Sequence, residues 1–126
     1  MKHINQKSKK VLEKLINEMK NGYAKIDNTN GCFMSVSVEE IGENLFSVGH
    51  YYTQNGDLMA DPEMVFWKAW DDNYYPCSWK NDGVGFNRVS VIFENGKPSS
   101  VNCRTQMQDK NFANIWMKNI KDQQEL

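Results

Sequence analysis

Apolar positions between residues 8 and 21 recur at helical spacing. Val11, Leu12, Leu15, Ile16 and Met19 share one stripe and lysines take the opposite side, which predicts an amphipathic helix. Ser8 is placed to cap its start, and Asn21-Gly22 to stop it. From Gly31 the period changes to two. Met34, Val36 and Val38 alternate with Ser35, Ser37 and Glu39 as a strand with one polar face. After a Gly42-Glu43-Asn44 turn, Phe46, Val48, His50 and Tyr52 share one face of a second strand. Asn55-Gly56 follows, a pair suited to the positive φ angles of a tight hairpin. Met64 to Trp70 is apolar on both faces apart from Lys68, which predicts a central strand.

Asp71-Asp72-Asn73 and Asp82-Gly83 bound another strand at Tyr74 to Trp79, and Val89, Val91 and Phe93 alternate in the next. Asn95-Gly96 makes a further hairpin turn. Helical spacing returns near residues 109–122 in Phe112, Ile115, Trp116, Asn119 and Ile120, with Thr105 or Asp109 as cap. The predicted order is α-β-β-β-β-β-α. That is an α+β fold, an antiparallel sheet of about five strands with the N-terminal and C-terminal helices packed on one face. The 126 residues fit a single domain.

Composition narrows the class further. With 40% hydrophobic and 12% aromatic residues the chain can build a core. No apolar run reaches the roughly 20 residues that cross a bilayer, and the polar start Met1 to Ser8 has no secretory pattern, so a soluble cytoplasmic protein is expected. Cys32, Cys77 and Cys103 are odd in number and form no CxxC pair, which fits buried thiols better than disulfides or zinc ligands.

The net charge of −1 hides a strong asymmetry. Residues 1–25 carry a balance of +5, residues 26–67 one of −7 with no Lys or Arg, and residues 68–126 one of +1. Such segregation creates local potentials, here an acidic surface for a basic partner, unless the lysine helix packs beside the acidic strands.

Candidate chemistry concentrates in residues 50–63. His50, Asp57, Asp61 and Glu63 include the oxygen donors that a hard cation needs, which would serve a metal-dependent nuclease or hydrolase. The same residues also read as turn and cap positions around Asn55-Gly56-Asp57 and Asp61-Pro62, with His50 as a core histidine. No GxGxxG, Walker, HExxH or GxSxG pattern occurs, so no cofactor is expected, and His3 falls in a terminus expected to fray. Two arginines and no basic-aromatic interleaving in the strands predict no direct nucleic-acid contact.

Tyr51, Tyr52, Phe66, Trp67, Trp70, Tyr74, Tyr75 and Trp79 crowd into 29 positions. A sheet with one buried face exposes some of these, and Tyr and Trp beside carboxylates suit a protein-binding hot spot. The candidate partner-binding residues are Glu39, Glu40, Tyr51, Tyr52, Asn55, Asp57, Asp61, Glu63, Tyr75 and Trp79.

A count of 13 Lys to 2 Arg, with 15 Asn, mirrors AT-rich codons and points to a low-GC bacterium, its phages or its plasmids. The run His50-Tyr51-Tyr52-Thr53-Gln54-Asn55-Gly56-Asp57-Leu58-Met59-Ala60-Asp61-Pro62-Glu63-Met64 resembles the signature of an uncharacterised domain family of phages, plasmids and integrative elements. The similarity continues through Tyr75-Pro76, Phe112 and Trp116 to Ile120, covering roughly residues 31–124. The chain departs from that pattern in its own lysine-rich first helix and in ending Gln123-Gln124-Glu125-Leu126 where a Phe is usual.

The resemblance implies a mobile-element origin and no particular activity. The expected function is therefore non-enzymatic binding of a protein, such as a CRISPR effector nuclease or another host defence protein. Surface 39–63 would occupy a basic nucleic-acid groove, its carboxylates replacing phosphates. The alternatives are the metal-dependent enzyme and an accessory role in conjugation or replication.

Overall fold

In the computed structural model, which describes residues 1–126, helix α1 runs Gln6–Asn17. Its cap is Asn5, whose side chain accepts the Ser8 N–H at 2.8 Å. Ser8 is itself buried inside the first turn, and the helix ends before Asn21-Gly22. That pair instead turns the chain at positive φ between Lys20 and Tyr23. Strands β1 (Tyr23–Ile26), β2 (Val36–Gly42), β3 (Leu45–Gln54), β4 (Asp57–Lys68), β5 (Tyr74–Asn81) and β6 (Phe86–Val89) follow. They pair in that order as one six-stranded antiparallel meander. Strands β7 (Val91–Glu94) and β8 (Lys97–Val101) form a separate hairpin, and α2 (Cys103–Gln124) closes the chain.

The architecture is α+β. Both helices pack on one face of the large sheet: Leu12 and Leu15 of α1 and Met117 and Ile120 of α2 meet Val36, Val38, Val48, Met64 and Phe66. These side chains alternate along their strands, so burying one set commits each strand to a single register. Lys2 N–H bonds Gln106, Asn5 N–H and Ser8 Oγ bond Asn114, and Lys14 shares a groove with Lys118 and Lys121, so the N-terminal segment and α1 lie alongside α2 and run in the same direction. The first residues do not fray. Ile4 is in the core with its N–H on the Tyr74 carbonyl, and the His3 ring stands edge-on to Tyr75 at 5.8 Å. No helix is long and apolar enough to cross a membrane.

Three features differ from the predicted order. Strand β4 runs through Asp61-Pro62, where a turn or helix start was expected. Pairing there steps by two residues in β3 (Gly49 to Tyr51) and by three in β4 (Glu63 to Ala60). Proline lacks a ladder donor and is accommodated in such a bulge. The expected strand over Val89, Val91 and Phe93 splits at Ser90, which bonds back to β5 through its N–H on Cys77 and its Oγ on Pro76. Helix α2 begins six residues before the expected 109, capped by Asn102. Asp109 lies fully buried within it, in place of a cap role.

Candidate functional site

With both helices on the inner face, the outer face of β1–β4 is open to solvent. It forms a cleft of about 470 Å³ whose lining includes Tyr23, Lys25, Ser37, Glu39, Ser47, Tyr51, Tyr52, Leu58 and Glu63. Strand alternation puts these residues together: Ser47 and Gly49 project opposite to Phe46 and Val48, and the same register brings Glu63 beside Gly49.

Glu63 organises the cleft. Its Oε1 accepts both the Ser47 hydroxyl and the Tyr51 hydroxyl at 2.9 Å. The Tyr51 ring reaches it by lying across Gly49, where a Cβ would come within 2.7 Å of Tyr51 Cζ. Burial, then the Glu63 hydrogen bond, pushes the Tyr51 hydroxyl above the ordinary phenol range, so it stays a donor. The result is a fixed carboxylate, preorganised by two donors of its own sheet. Glu39 is exposed beside it, and Lys25 is the only lysine or arginine lining the cleft.

The expected site residues divide. Glu39, Tyr51, Tyr52 and Glu63 share the cleft. Asn55 and Asp57 are exposed at the β3–β4 turn, where Asn55 and Gly56 both take positive φ. Glu40 is exposed on β2, and Asp61 sits at the bulge accepting from Asn81 Nδ2.

Two expected anchors are packed inside instead. Tyr75 is buried, its hydroxyl on Asp71 at 2.6 Å and its ring 6.0 Å from Trp67, which also meets Phe93 of the small hairpin. Trp79 faces inward opposite Met64, between Phe86 and Phe112, with the Arg88 guanidinium 4.9 Å above its ring. The hairpin and α2 cover aromatic residues that a bare sheet would expose.

The residues of the metal reading do not converge. His50 points into the core, donating from Nδ1 to the Ser35 carbonyl at 2.9 Å and standing edge-on to Trp116, because its place in β3 fixes it opposite the cleft. No group of three or more His, Cys, Asp or Glu side chains is placed to hold a metal ion.

The chain matches the family described as Domain of unknown function (DUF6908) over residues 6–126. It belongs to the DUF6908 family. The match takes in α1, so the lysine-rich helix is part of this DUF6908 domain and not an addition to it. Neither a curated protein nor a solved structure matches the chain.

Two surface features of the domain escaped the candidate set. Trp70 is 94% exposed at the β4–β5 turn, although sequence had placed it in the aromatic cluster. Lysines of both helices also meet across a second groove, whereas the sequence pattern shows a lysine side on the first helix alone.

Proposed function

We propose that this domain acts by binding a protein, docking a basic segment of its partner on the outer face of β1–β4. The supporting observation is the fixed Glu63 carboxylate in an uncovered cleft, with one oxygen held by Ser47 and Tyr51. An incoming Lys or Arg meets an acceptor already oriented, so less ordering entropy opposes binding. Glu39 in the cleft and exposed Asp57 at the β3–β4 turn extend the negative field, while Glu40, paired with the core residue Phe46, projects from the other face of β2; exposed Tyr23 and Leu58 supply apolar contact. In biological terms, the reading is a mobile-element protein that inhibits a host defence nuclease by occupying its basic nucleic-acid channel. A CRISPR effector is the specific partner this reading names.

The test compares the native domain with a Glu39→Lys, Glu40→Lys, Asp57→Lys variant. All three positions are exposed and make no side-chain hydrogen bond in the fold. Both proteins are titrated against purified effector nucleases, with binding and substrate cleavage followed. Stoichiometric inhibition by the native domain that fails in the variant supports the reading. Equal inhibition by both would move the docking surface elsewhere, and binding to no basic protein would sink the proposal.

A further inference from the structure

On the side of the molecule away from the cleft, the outer faces of α1 and α2 enclose a groove of about 530 Å³. Lys7, Lys10 and Lys14 line one bank at i, i+3 and i+7. Lys118 and Lys121 line the other, on the stripe that Asn114 begins. All five lysines are exposed and none is in an ion pair. The sole acidic residue of the lining is Asp122. Asn114 uses its Oδ1 on Asn5 N–H and Ser8 Oγ, which leaves its amide N–H donors uncommitted within the chain.

We infer that this groove binds the phosphate backbone of double-stranded nucleic acid without reading sequence. Seven residues of helix rise about 10 Å, so each stripe runs about that far. A duplex carries one charge per about 1.7 Å of axis, or roughly six over the same length, close to the five lysines facing it. The chemistry of the lining selects among polyanions. Its one apolar member, Val11, is buried, so the groove has no anchor for a protein hot spot or a lipid interface. It has no aromatic residue to stack single-stranded bases and no Arg, whose planar fork makes the bidentate contact to guanine that lysine ammonium groups do not hold rigidly. Ammonium and amide donors remain, and on phosphate oxygens these position a backbone and carry no sequence information. This departs from the expectation of no direct nucleic-acid contact. That expectation considered the strands, whereas these lysines meet only when the two ends of the chain pack together.

The experiment is fluorescence anisotropy of labelled 20-base-pair duplexes of two unrelated sequences between 50 and 200 mM salt. The native domain is compared with a Lys10→Glu, Lys14→Glu, Lys118→Glu variant whose folding is checked by thermal melt. We expect equal affinity for the two sequences and a log–log salt slope of about −4.5, from about −0.9 for each of five phosphate contacts. In the variant, affinity at 50 mM falls at least about tenfold and the slope flattens toward about −2. Absence of duplex binding at 50 mM, or an unchanged affinity in the folded variant, overturns the inference. So does lysine-dependent binding seen only with anionic vesicles or with a polyglutamate peptide.

Discussion

At Gly49, a missing Cβ decides where an aromatic ring can lie. Tyr51 crosses that gap to donate to Glu63, and a Cβ 2.7 Å from its ring would push the hydroxyl off the carboxylate. Gly49→Ala and Tyr51→Phe therefore remove the same contact. Each is expected to cost about 1 kcal/mol in urea unfolding, and the double variant distinctly less than the sum; full additivity would show that the ring position does not depend on the gap. Cys77 illustrates burial as the leading cause, since desolvation, with a smaller push from the Asp109 charge, takes its thiol from the usual 9.0 up to about 12. In the native protein a thiol reagent at pH 8 is expected to label Cys32 and Cys103, both exposed, and to reach Cys77 only on unfolding. The linkage sign follows from the raised value. The fold prefers the neutral thiol, so this stability is intact below pH 9 and is lost as pH climbs toward 12, at about 1.36 kcal/mol per unit. Tyr75, raised to about 12 chiefly by burial, adds a loss of the same sign. Urea midpoints rising between pH 9 and 11 would contradict both.

Elements were readable in the sequence where their cause is local. Asn55-Gly56 and Asn95-Gly96 are hairpin turns because consecutive residues must take positive φ, a demand those two side chains meet unaided. β1 was not readable, since Tyr23–Ile26 is too short for alternation to show and is held by pairing with β2. The start of α2 was hidden by Gln106 and Asp109, fully buried polar side chains whose partners lie distant in sequence, Asp109 through Oδ1 alone while its Oδ2 is buried without one. Gln124 is of the same kind: its amide accepts the Asn28 N–H and donates to the Met34 carbonyl, fastening the β1–β2 connection to the end of α2. Gln124→Ala should cost about 1–3 kcal/mol by leaving those groups unpaired. Amide exchange should accelerate at Asn28, and unchanged protection there would refute the fastening role. Asp109 meets Arg88 at 2.6 Å, joining α2 to β6, while burial raises its carboxyl above the usual range against the pull of that arginine. Arg88→Ala strands a buried anion, a loss of about 3–5 kcal/mol for a fully buried pair and less here because Arg88 is partly exposed. An acid with a raised folded value favours folding below its unfolded range and loses that advantage as pH rises. The Arg88→Ala deficit must therefore shrink on acidification, and a deficit that grew would place the charge elsewhere.

For the molecule as a whole, a net charge of −1 describes neither side. The acidic run of residues 26–67 contributes the sheet face, and lysines from both ends of the chain meet over the helices. The separation along the sequence was visible, but the way the fold arranges it was not, because Lys118 and Lys121 look unremarkable until α2 lies beside α1. A helix is about 10 Å across, so the two surfaces stand at least that far apart through the packed layers. Screening therefore decides whether they sense each other. The reversal of Glu39, Glu40 and Asp57 to Lys, two charge units each, moves the net charge from −1 to +5 without touching the lysine groove. At 10 mM salt the Debye length is about 30 Å, and duplex affinity should rise several-fold through the long-range field. At 100 mM it is about 10 Å, and the same variant should bind within about twofold of the native domain. An equal gain at both salts would mean that the duplex touches the sheet face directly. A loss at either would mean that the acidic residues take part in the basic site, and the two surfaces would then have to be treated as one.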